Sequence, residues 1–376
     1  MVDCKAFYAT LHQEGIQFCA GVPDSLLKDF CAYVAVHAGP TSHIITPNEG
    51  NAVSLVAGHF LATGRMGLVY MQNSGIGNAV NPLLSLADPQ VYGIPMLLLI
   101  GWRGEPGRQD EPQHLKQGQI TLPLLDTMGL PHRILPETNT DAAECIALMV
   151  DLAKRRSSPV AVVVTAETFA PYSPGEGTPS PYALSREDVI DTVVGIAGPN
   201  DTIIATTGKT SRELLECRNR RGLDSRSDFL TVGGMGHASH IALGIALAQP
   251  QRRVYCLDGD GSVIMHMGAL AAVGASGCEN YVHVVLNNGA HESVGGQPTL
   301  GFQIDLCTIA RGCGYGWVGR ATVMEEVVAG LAAVQRARGP SLVEVRVKTG
   351  SRANLGRPAS SPAQNKGLFM RFLAGG

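Results

Sequence analysis

Two stretches of sequence decide the fold: Val254-Tyr-Cys-Leu-Asp258-Gly-Asp260-Gly-Ser262 and Val282-His-Val-Val-Leu286-Asn287-Asn288-Gly289. Each is an apolar run of strand length that ends in polar residues beside glycine. Runs that are apolar on both faces are typical of parallel strands covered by helices on both sides. Because consecutive parallel strands are joined by a right-handed crossover, we expect both runs to end at the same edge of one sheet, where open α/β folds bind ligands.

The same alternation of strand-like and helix-like segments extends over the whole chain, and a segment with four prolines and two glycines interrupts it at 171–181. We therefore predict an α/β protein with two doubly wound parallel-sheet domains, residues 1–170 and 185–376, joined by a linker at 171–184. Ser185 is the expected cap of the first helix after the linker. The predicted strands are 42–46, 67–71, 96–100, 160–165, 202–206, 229–232, 253–257, 281–286 and 342–347.

Composition excludes several classes of protein. The 376 residues include 29 Lys and Arg against 32 Asp and Glu, which leaves no basic surface for nucleic acid. Nine cysteines form no CxxC pair, as expected of reduced thiols rather than disulfides or zinc sites. The longest apolar runs are far too short to cross a membrane, and the N-terminus does not resemble a signal peptide. These features predict a soluble, cytoplasmic protein.

Three familiar ligand motifs fit poorly. Gly208-Lys209-Thr210 resembles the end of a P-loop, but Ile203 occupies the position of its first glycine. Neither Gly259-Asp-Gly261 nor Gly75-Ile-Gly77 continues as a dinucleotide fingerprint. His237 and His240 are one helical turn apart, without a third zinc ligand at a suitable spacing. A nicotinamide-dependent dehydrogenase is an alternative that the cofactor content of the protein can test.

The two strand ends fit a different ligand. Asp260 and Asn288 can bind one hard cation, because a carboxylate, an amide oxygen, a backbone carbonyl and phosphate oxygens suit Mg²⁺. Gly261 and Ser262 bring backbone N–H groups to the start of the next helix, where a diphosphate is favoured. An ordinary strand-to-helix turn would explain either loop alone but does not explain both.

Gly259-Asp260-Gly261, followed at a distance by Asn287-Asn288, resembles the cofactor motif of the thiamine diphosphate-dependent decarboxylases. The resemblance implies a pyrimidine-binding domain followed by a diphosphate-binding domain, with thiamine diphosphate and Mg²⁺ as cofactors. It implies Asp260, Asn288 and the Ala290 carbonyl as metal ligands. It further implies that the cofactor-binding residues are Thr207, Gly233, Met235, His237, Gly259, Asp260, Gly261, Ser262 and Asn288, with Met235 as the wedge that bends the cofactor.

Glu49 is the candidate catalytic residue of the first half. It lies in Thr46-Pro47-Asn48-Glu49-Gly50, where a strand gives way to an apolar helix. Without the resemblance, a carboxylate in the first turn would be explained by the helix dipole alone. In the resembled family this acid hydrogen-bonds the pyrimidine ring of the cofactor and activates it. That role requires a pKa raised by burial.

The short linker distinguishes this chain from family members that carry a third domain, and it points to the compact decarboxylases of phosphonopyruvate or sulfopyruvate. Gly21-Val-Pro-Asp24-Ser25 and the segment after Asn288 resemble the phosphonopyruvate decarboxylases in particular. The implied reaction is decarboxylation of 3-phosphonopyruvate to phosphonoacetaldehyde and CO₂ in phosphonate (antibiotic) biosynthesis. Sulfopyruvate decarboxylation and a non-catalytic, cofactor-binding subunit are the alternatives.

A phosphonate dianion requires Arg, Lys or clustered N–H donors. The candidates lie near the first glycine turn, in the long polar loop after residue 100, beside the metal loop and in the tail. They are Ser25, Lys28, Arg103, Arg108, His114, His291, Arg352 and Arg357. The resemblance also implies a homo-oligomer, a dimer or larger, with active sites at subunit interfaces, and a small keto-acid phosphonate as substrate.

Overall fold

In the computed structural model, residues 1–175, 180–352, 354–356 and 360–375 are described. The chain divides into two compact units, Met1–Gly177 with Ser293–Gln297, and Thr178–Glu292 with Pro298–Gly376. The finer domain boundaries at 170/171 and 184/185 remain a prediction. Candidate residue Arg357 lies outside the described residues.

The first unit contains a six-stranded parallel sheet. Its strands are β1 (Cys19–Gly21), β2 (His43–Ile45), β3 (Leu68–Gln72), β4 (Leu97–Gly101), β5 (His132–Ile134) and β6 (Val160–Val164), and their order across the sheet is β2-β1-β3-β4-β6-β5. Successive residues of β3 face opposite sides: Leu68 and Tyr70 enter one core, and Val69 and Met71 enter the other. Strands buried on both faces explain the continuous apolar runs in the sequence.

Six α-helices cover this sheet: α1 (Cys4–Gln13), α2 (Lys28–His37), α3 (Glu49–Thr63), α4 (Ile76–Pro82), α5 (Pro112–Thr127) and α6 (Asn139–Arg156). A short 3-10 turn, Asn73–Gly75, precedes α4, and a π-helical turn, Leu83–Ala87, follows it. Buried side chains of α1, α2 and α6 share one core, and those of α3, α4 and α5 share the other. The sheet is therefore doubly wound.

The second unit repeats this plan. Its strands are β7 (Thr202–Ala205), β8 (Asp228–Leu230), β9 (Val254–Gly259), β10 (Tyr281–Asn287), β11 (Trp317–Ala321) and β12 (Ser341–Arg346), all parallel in the order β8-β7-β9-β10-β12-β11. Counted from the start of each unit, both sheets have the strand order 2-1-3-4-6-5. The two units share this order although the sequence contains no recognisable repeat.

Eight α-helices belong to the second unit: α7 (Arg186–Ile196), α8 (Lys209–Arg220), α9 (Ala238–Ala248), α10 (Asp260–Met265), α11 (Ala269–Ser276), α12 (Leu306–Gly312), α13 (Met324–Val334) and α14 (Pro362–Leu373). A 3-10 turn, Glu292–Val294, follows β10. Helices α7, α8 and α13 pack on one face, and α9 to α12 with α14 pack on the other. The α/β class and the doubly wound sheets are confirmed.

All nine predicted strands are present within a residue or two of their expected bounds. Ser185 caps α7 in a reciprocal arrangement with Asp188, as its position suggested. Three strands were missed: β1, β5 and β11. β1 and β5 have three residues each and β11 contains Gly319, so none carries the apolar periodicity that a sequence pattern needs.

Two expectations that bear on location can be compared with the structure. Every helix in the described ranges is too short or too polar to span a bilayer. The nine cysteines are all free, and seven of them are buried, in agreement with the expectation of buried, reduced thiols.

Candidate active site

Glu49 is positioned by the end of β2 and the start of α3. The side chain of Asn48 caps the helix and accepts a hydrogen bond from the Asn51 N–H at 3.0 Å, so that Glu49 becomes the first helical residue. Only 5% of Glu49 is exposed. The sequence therefore places a carboxyl group in the interior at the carboxyl edge of the first sheet, as predicted.

The surroundings of Glu49 favour its neutral form. Burial raises the pKa of its carboxyl group, although the Asn78 amide donates a hydrogen bond to Oε2 at 2.7 Å. No ion pair reaches Glu49 within the described part of the chain. Gly75 lies so close that a Cβ there would be 2.2 Å from Glu49 Oε1. Burial thus shifts Glu49 toward its neutral form, the form in which a carboxyl group can donate a proton.

Three of the substrate candidates meet at one point of the first unit. Arg103, just after β4, donates to both oxygens of Asp110 at 2.9 and 2.5 Å and to the Ser25 hydroxyl at 2.8 Å. His114 Nδ1 is 2.9 Å from Asp110 Oδ1. Burial opposes ionisation of Asp110, but the hydrogen bonds from Arg103 and His114 hold its pKa well below the usual value.

The backbone of Arg103 is fixed as firmly as its side chain. The buried Asn73 amide donates to the Arg103 carbonyl at 2.8 Å and accepts from the Arg103 N–H at 3.2 Å. Asn73 also donates to Thr121 of α5 at 2.9 Å. Sequence reasoning missed Asn73 and Asp110. A signal existed for Asp110, since it lies in the same polar loop as Arg103 and His114.

Asp24 was also missed. It lies next to Ser25 and is completely buried, and burial raises the pKa of its carboxyl group to about 6. Oδ2 accepts the Leu26 N–H at 2.9 Å, whereas Oδ1 has no hydrogen-bond partner in the described structure. Gly101 leaves room for the Asp24 carboxyl group, because a Cβ at position 101 would be 2.0 Å from Asp24 Oδ2.

The other substrate candidates have different surroundings. Lys28 is exposed at the start of α2, and Arg108 pairs with Glu105 on the surface. Arg352 pairs with the carboxylates of Glu187 and Glu216. These three residues do not belong to the group around Asp110, and their roles remain predictions.

The predicted metal ligands of the second unit do come together. β9 and β10 are parallel neighbours, so Asp260 and Asn288 lie at the same edge of the sheet. Asp260 Oδ1 accepts the Asn288 backbone N–H at 3.3 Å, and Oδ2 accepts the Thr299 hydroxyl. The Asn288 side-chain oxygen accepts the Ala290 N–H at 3.0 Å. Thr299 had no signal in the sequence, because it approaches Asp260 only through the loop after β10.

The charge of Asp260 fits a bound cation. The residue is 2% exposed, and burial raises the pKa of its carboxyl group to about 6. Its partners, Thr299 and the Asn288 N–H, are neutral, and no basic side chain pairs with it in the described ranges. A buried carboxylate is costly unless a positive charge neutralises it. The oxygen donors of Asp260, Asn288 and Ala290 are those that Mg²⁺ prefers.

The loop after β10 is packed tightly against these ligands. Gly301 lies so close that a Cβ there would be 2.4 Å from Asp260 Oδ2 and 2.6 Å from Asn287 Oδ1. Asn287 is completely buried, and its amide donates to the Gly301 carbonyl and to Glu344, both at 2.7 Å. The first asparagine of the pair therefore holds the loop in place.

The residues expected to bind the cofactor in the second unit lie around the start of α10 and in the loops beside it. Ser262 Oγ accepts the Gly236 N–H at 3.0 Å and lies 3.1 Å from the Thr206 hydroxyl. Thr207 donates to the Val232 carbonyl at 2.7 Å. Ser262 thus links the loop that contains the remaining predicted residues, Gly233, Met235 and His237, to the helix that begins with Asp260 and Gly261.

His291 lies beside Gly261, where a Cβ would be 3.2 Å from the imidazole ring. Burial lowers the pKa of this imidazole to about 4. At neutral pH His291 can therefore offer a hydrogen bond to an anion but no positive charge.

Two groups of side chains in the described ranges have the composition of a metal site: Cys256 with Asp258 and His283, and Asp305 with Cys307 and Glu344. Neither group includes His237 or His240, and the His237 ring instead stacks on His266 at 4.5 Å. The structure thus gives the histidine pair no third ligand among the residues it describes.

Comparison with known proteins identifies both units. Residues 4–128 match the N-terminal TPP binding domain of thiamine pyrophosphate enzymes. Residues 207–345 match their C-terminal TPP binding domain. Thiamine pyrophosphate is another name for thiamine diphosphate, so the pyrimidine-binding and diphosphate-binding interpretation of the two halves agrees with these matches.

Three curated relatives extend over nearly the whole chain. A phosphonopyruvate decarboxylase of Streptomyces viridochromogenes is 36% identical, over 99% of this chain and 95% of its own. A second phosphonopyruvate decarboxylase, of Streptomyces hygroscopicus, is 34% identical over 99% and 94%. A sulfopyruvate decarboxylase of Methanosarcina acetivorans is 28% identical over 91% and 90%. The likeness to the first two covers 99% of this chain and therefore both units.

Proposed function

The chain belongs to the thiamine diphosphate-dependent decarboxylases, and from this premise we propose that it converts 3-phosphonopyruvate to phosphonoacetaldehyde and CO₂ with the help of Mg²⁺. The carboxylate carbon leaves as CO₂, and a proton takes its place on the carbonyl carbon. One observation carries the proposal: Glu49 and Asp260 are buried carboxyl groups without cationic partners among the described residues, each at the carboxyl edge of its own sheet. The chain also has phosphonopyruvate decarboxylase relatives over nearly its full length.

In the second unit, Asp260, Asn288 and the Ala290 carbonyl would hold Mg²⁺ together with the diphosphate of the cofactor. The start of α10 would supply N–H donors from Gly261 and Ser262. A bound cation would neutralise Asp260 and lower the pKa of its carboxyl group. This unit would therefore bind and orient the cofactor.

In the first unit, Glu49 would act as the acid. When bound, the cofactor supplies the nucleophilic carbon and accepts the electrons released with CO₂. Burial raises the pKa of Glu49, and in its protonated form the carboxyl group would donate a hydrogen bond to the cofactor. The Asn78 amide restricts the carboxyl group to one orientation.

The phosphonate would bind near Arg103, Ser25 and His114. The Arg103 guanidinium already contacts Asp110 through Nε and Nη2 and Ser25 through Nη1. Binding of a dianion here would replace the Ser25 contact and use the hydroxyl itself as a donor. Lys28, Arg108, His291 and the tail arginines Arg352 and Arg357 remain further candidates from the sequence.

The decisive experiment measures CO₂ release from phosphonopyruvate, sulfopyruvate and pyruvate in parallel, with thiamine diphosphate and Mg²⁺ supplied or withheld. We expect cofactor-dependent turnover that is fastest with phosphonopyruvate. A preference for sulfopyruvate, the substrate named for the Methanosarcina relative, would keep the mechanism and change the substrate. Absence of turnover with every keto acid would favour a non-catalytic cofactor-binding subunit.

The phosphonate pocket has its own test. We expect Arg103→Ala to raise KM for phosphonopyruvate about 10- to 100-fold, because a charge-assisted contact contributes about 1.5–3 kcal/mol. Arg155→Ala, an exposed arginine of α6 that pairs with Asp151 and is not a substrate candidate, is the control. An unchanged KM in Arg103→Ala would place the phosphonate elsewhere.

The oligomeric state, cellular location and pathway of the enzyme are also proposed, on the basis of the family to which the chain belongs. We expect a homo-oligomer, at least a dimer, with active sites at subunit interfaces, that acts in the cytoplasm in phosphonate biosynthesis. A fully active monomer in light scattering would contradict the oligomer.

A further inference from the structure

Glu292, four residues after the proposed metal ligand Asn288, binds three donors in the second unit. Its Oε2 accepts the Asn288 side-chain amide at 2.9 Å and Arg186 Nη1 at 2.8 Å. Its Oε1 accepts Lys209 Nζ at 2.9 Å. The side chain is 13% exposed. Both carboxylate oxygens of Glu292 are therefore committed, and one of their donors is the amide of Asn288.

Glu292 is itself held by a rigid support. Arg186, the first residue of α7, donates to both oxygens of Glu213 on α8, at 2.5 and 2.7 Å. The side chains of Arg186 and Glu213 are 7% and 1% exposed. Bidentate arginine–carboxylate pairs restrict direction as well as distance. The position of Glu292 is thus set by two helices, not by the metal loop alone.

The contact between Glu292 and the Asn288 amide favours one orientation of that amide. An asparagine ligates a metal through Oδ1, since its amide nitrogen has no lone pair to give. A carboxylate can accept from Nδ2 but cannot donate to Oδ1. Glu292 therefore favours the orientation in which Nδ2 faces it and Oδ1 is turned away. Oδ1 has two lone pairs, of which the Ala290 N–H uses one.

We propose that Glu292 is the positioning residue that orients the Asn288 amide as a metal ligand, with Arg186 and Lys209 holding Glu292. The inference rests on the proposed function, because it takes Asn288 to be a metal ligand. Asn287 provides a contrast within the same loop. Its amide is fixed by two acceptors, the Gly301 carbonyl and Glu344, whereas the Asn288 amide has the Glu292 carboxylate as its acceptor.

The test measures the affinity for Mn²⁺, as a substitute for Mg²⁺, from the electron paramagnetic resonance signal of the free ion with thiamine diphosphate present. We expect Glu292→Gln to weaken Mn²⁺ binding about 10- to 100-fold, as removal of an outer-shell partner does. A glutamine has nearly the same shape but can also donate to Oδ1, so it no longer selects one orientation. Glu326→Gln, an exposed carboxylate on α13, is the control and should bind Mn²⁺ like the wild type.

A second variant separates orientation of the amide from simple loss of charge. In Asn288→Asp combined with Glu292→Gln, either oxygen at 288 can ligate the metal, and the glutamine can donate to the other. The pair keeps its net charge. We expect Mn²⁺ affinity to recover to within a few-fold of the wild type.

Three results would count against the inference or its premise. Wild-type protein that binds no Mn²⁺ with the cofactor present would overturn the proposed metal site itself. A wild-type affinity in Glu292→Gln would overturn the positioning role alone. Weak binding in Glu292→Gln without recovery in the double variant would assign Glu292 to charge balance with Arg186 and Lys209 and would also overturn it.

Discussion

The two units have the same strand order, yet the carboxyl edges of their sheets carry opposite chemistry. In the first unit, the acid Glu49 is buried beside a neutral amide, and burial raises its pKa. In the second unit, the acid Asp260 lies among oxygen ligands that suit a cation. The fold gives each acid the same kind of place, after a strand and at the start of a helix. The loops that surround each acid set its environment, which on the proposed function suits a proton donor in the first unit and a metal ligand in the second.

Asp260→Asn should have the largest effect. We expect cofactor-dependent decarboxylation to disappear and Mn²⁺ affinity to fall by more than the roughly 10- to 100-fold typical of outer-shell changes. Stability of the cofactor-free protein should not fall, because an amide is less costly to bury than an unpaired carboxylate. Calorimetric titration and thermal unfolding of the same samples measure both. A variant that keeps its metal affinity would place the cation elsewhere.

Glu49→Gln tests the other half of the comparison. We expect kcat to fall about 10²- to 10⁴-fold, the range for loss of a general acid or base, while Mn²⁺ and cofactor affinities stay within a few-fold of the wild type. Single-turnover kinetics and calorimetry measure the two effects. If cofactor binding were lost together with kcat, the proposed assignment of acid chemistry to the first unit and of cofactor binding to the second would be wrong.

Two other buried carboxylates extend the comparison to stability. Asp24 of the first unit has no ion-pair partner in the described ranges, and burial raises the pKa of its carboxyl group from the model-compound value of 3.8 to about 6. The folded protein then binds more protons than the unfolded chain between these values. Its free energy of unfolding should therefore fall as the pH rises from about 4 to about 6, by on the order of 2–3 kcal/mol from this group, and then level off.

The measurement is urea unfolding of wild type and Asp24→Asn at several pH values. Asp24→Asn should lack this fall in the free energy of unfolding. The pH profiles of the variant and the wild type should therefore converge at low pH. Burial raises the pKa of Asp228 in the second unit to about 6 as well, but Arg218 donates to both of its oxygens at 2.8 Å, so its contrast with Asp24 lies in the ion pair. Asp228→Asn should lower the free energy of unfolding by about 3–5 kcal/mol at pH 7. Equal pH profiles of unfolding for wild type and Asp24→Asn would disprove the raised pKa of Asp24.

Gly75→Ala should have the smallest effect. Because a Cβ at this position would be 2.2 Å from Glu49 Oε1, we expect a loss of about 1–3 kcal/mol in stability and a lower kcat with unchanged metal affinity. Gly77→Ala, in α4, is the matched control, since nothing lies within 4 Å of its Cβ position. The control should gain up to about 1 kcal/mol. Thermal unfolding and steady-state kinetics of both variants would decide.

The strand ends and Glu49 could be predicted because their signals are local. β9 and β10 are continuous apolar runs, and their polar ends follow directly in the sequence. The start of α3 is likewise marked by Asn48 and Glu49 within two residues. A pattern of this kind can be recognised in a single sequence, since strand, turn and cap are adjacent in the chain.

The supporting residues could not be predicted, because their partners are distant in the chain. Arg186 reaches Glu292 over 106 positions, and Asn287 reaches Glu344 over 57. Nothing near Glu292 in the sequence indicates an arginine as its partner. The Ser25–Arg103 contact spans 78 positions, so both residues could be proposed as substrate ligands but not recognised as neighbours. Long-range contacts of this kind require the folded structure.

The close approach of Gly301 to Asp260 and Asn287 has a consequence for how such sequences diverge. Any side chain at this position would meet two oxygens of the metal loop at once. On the proposed function, position 301 can therefore change only after the carboxylate proposed to bind the metal has become dispensable. A distant homologue can retain the Gly-Asp-Gly and Asn-Asn motifs and yet have a larger residue at the position of Gly301. We would predict that such a domain has the same fold but no longer binds the metal.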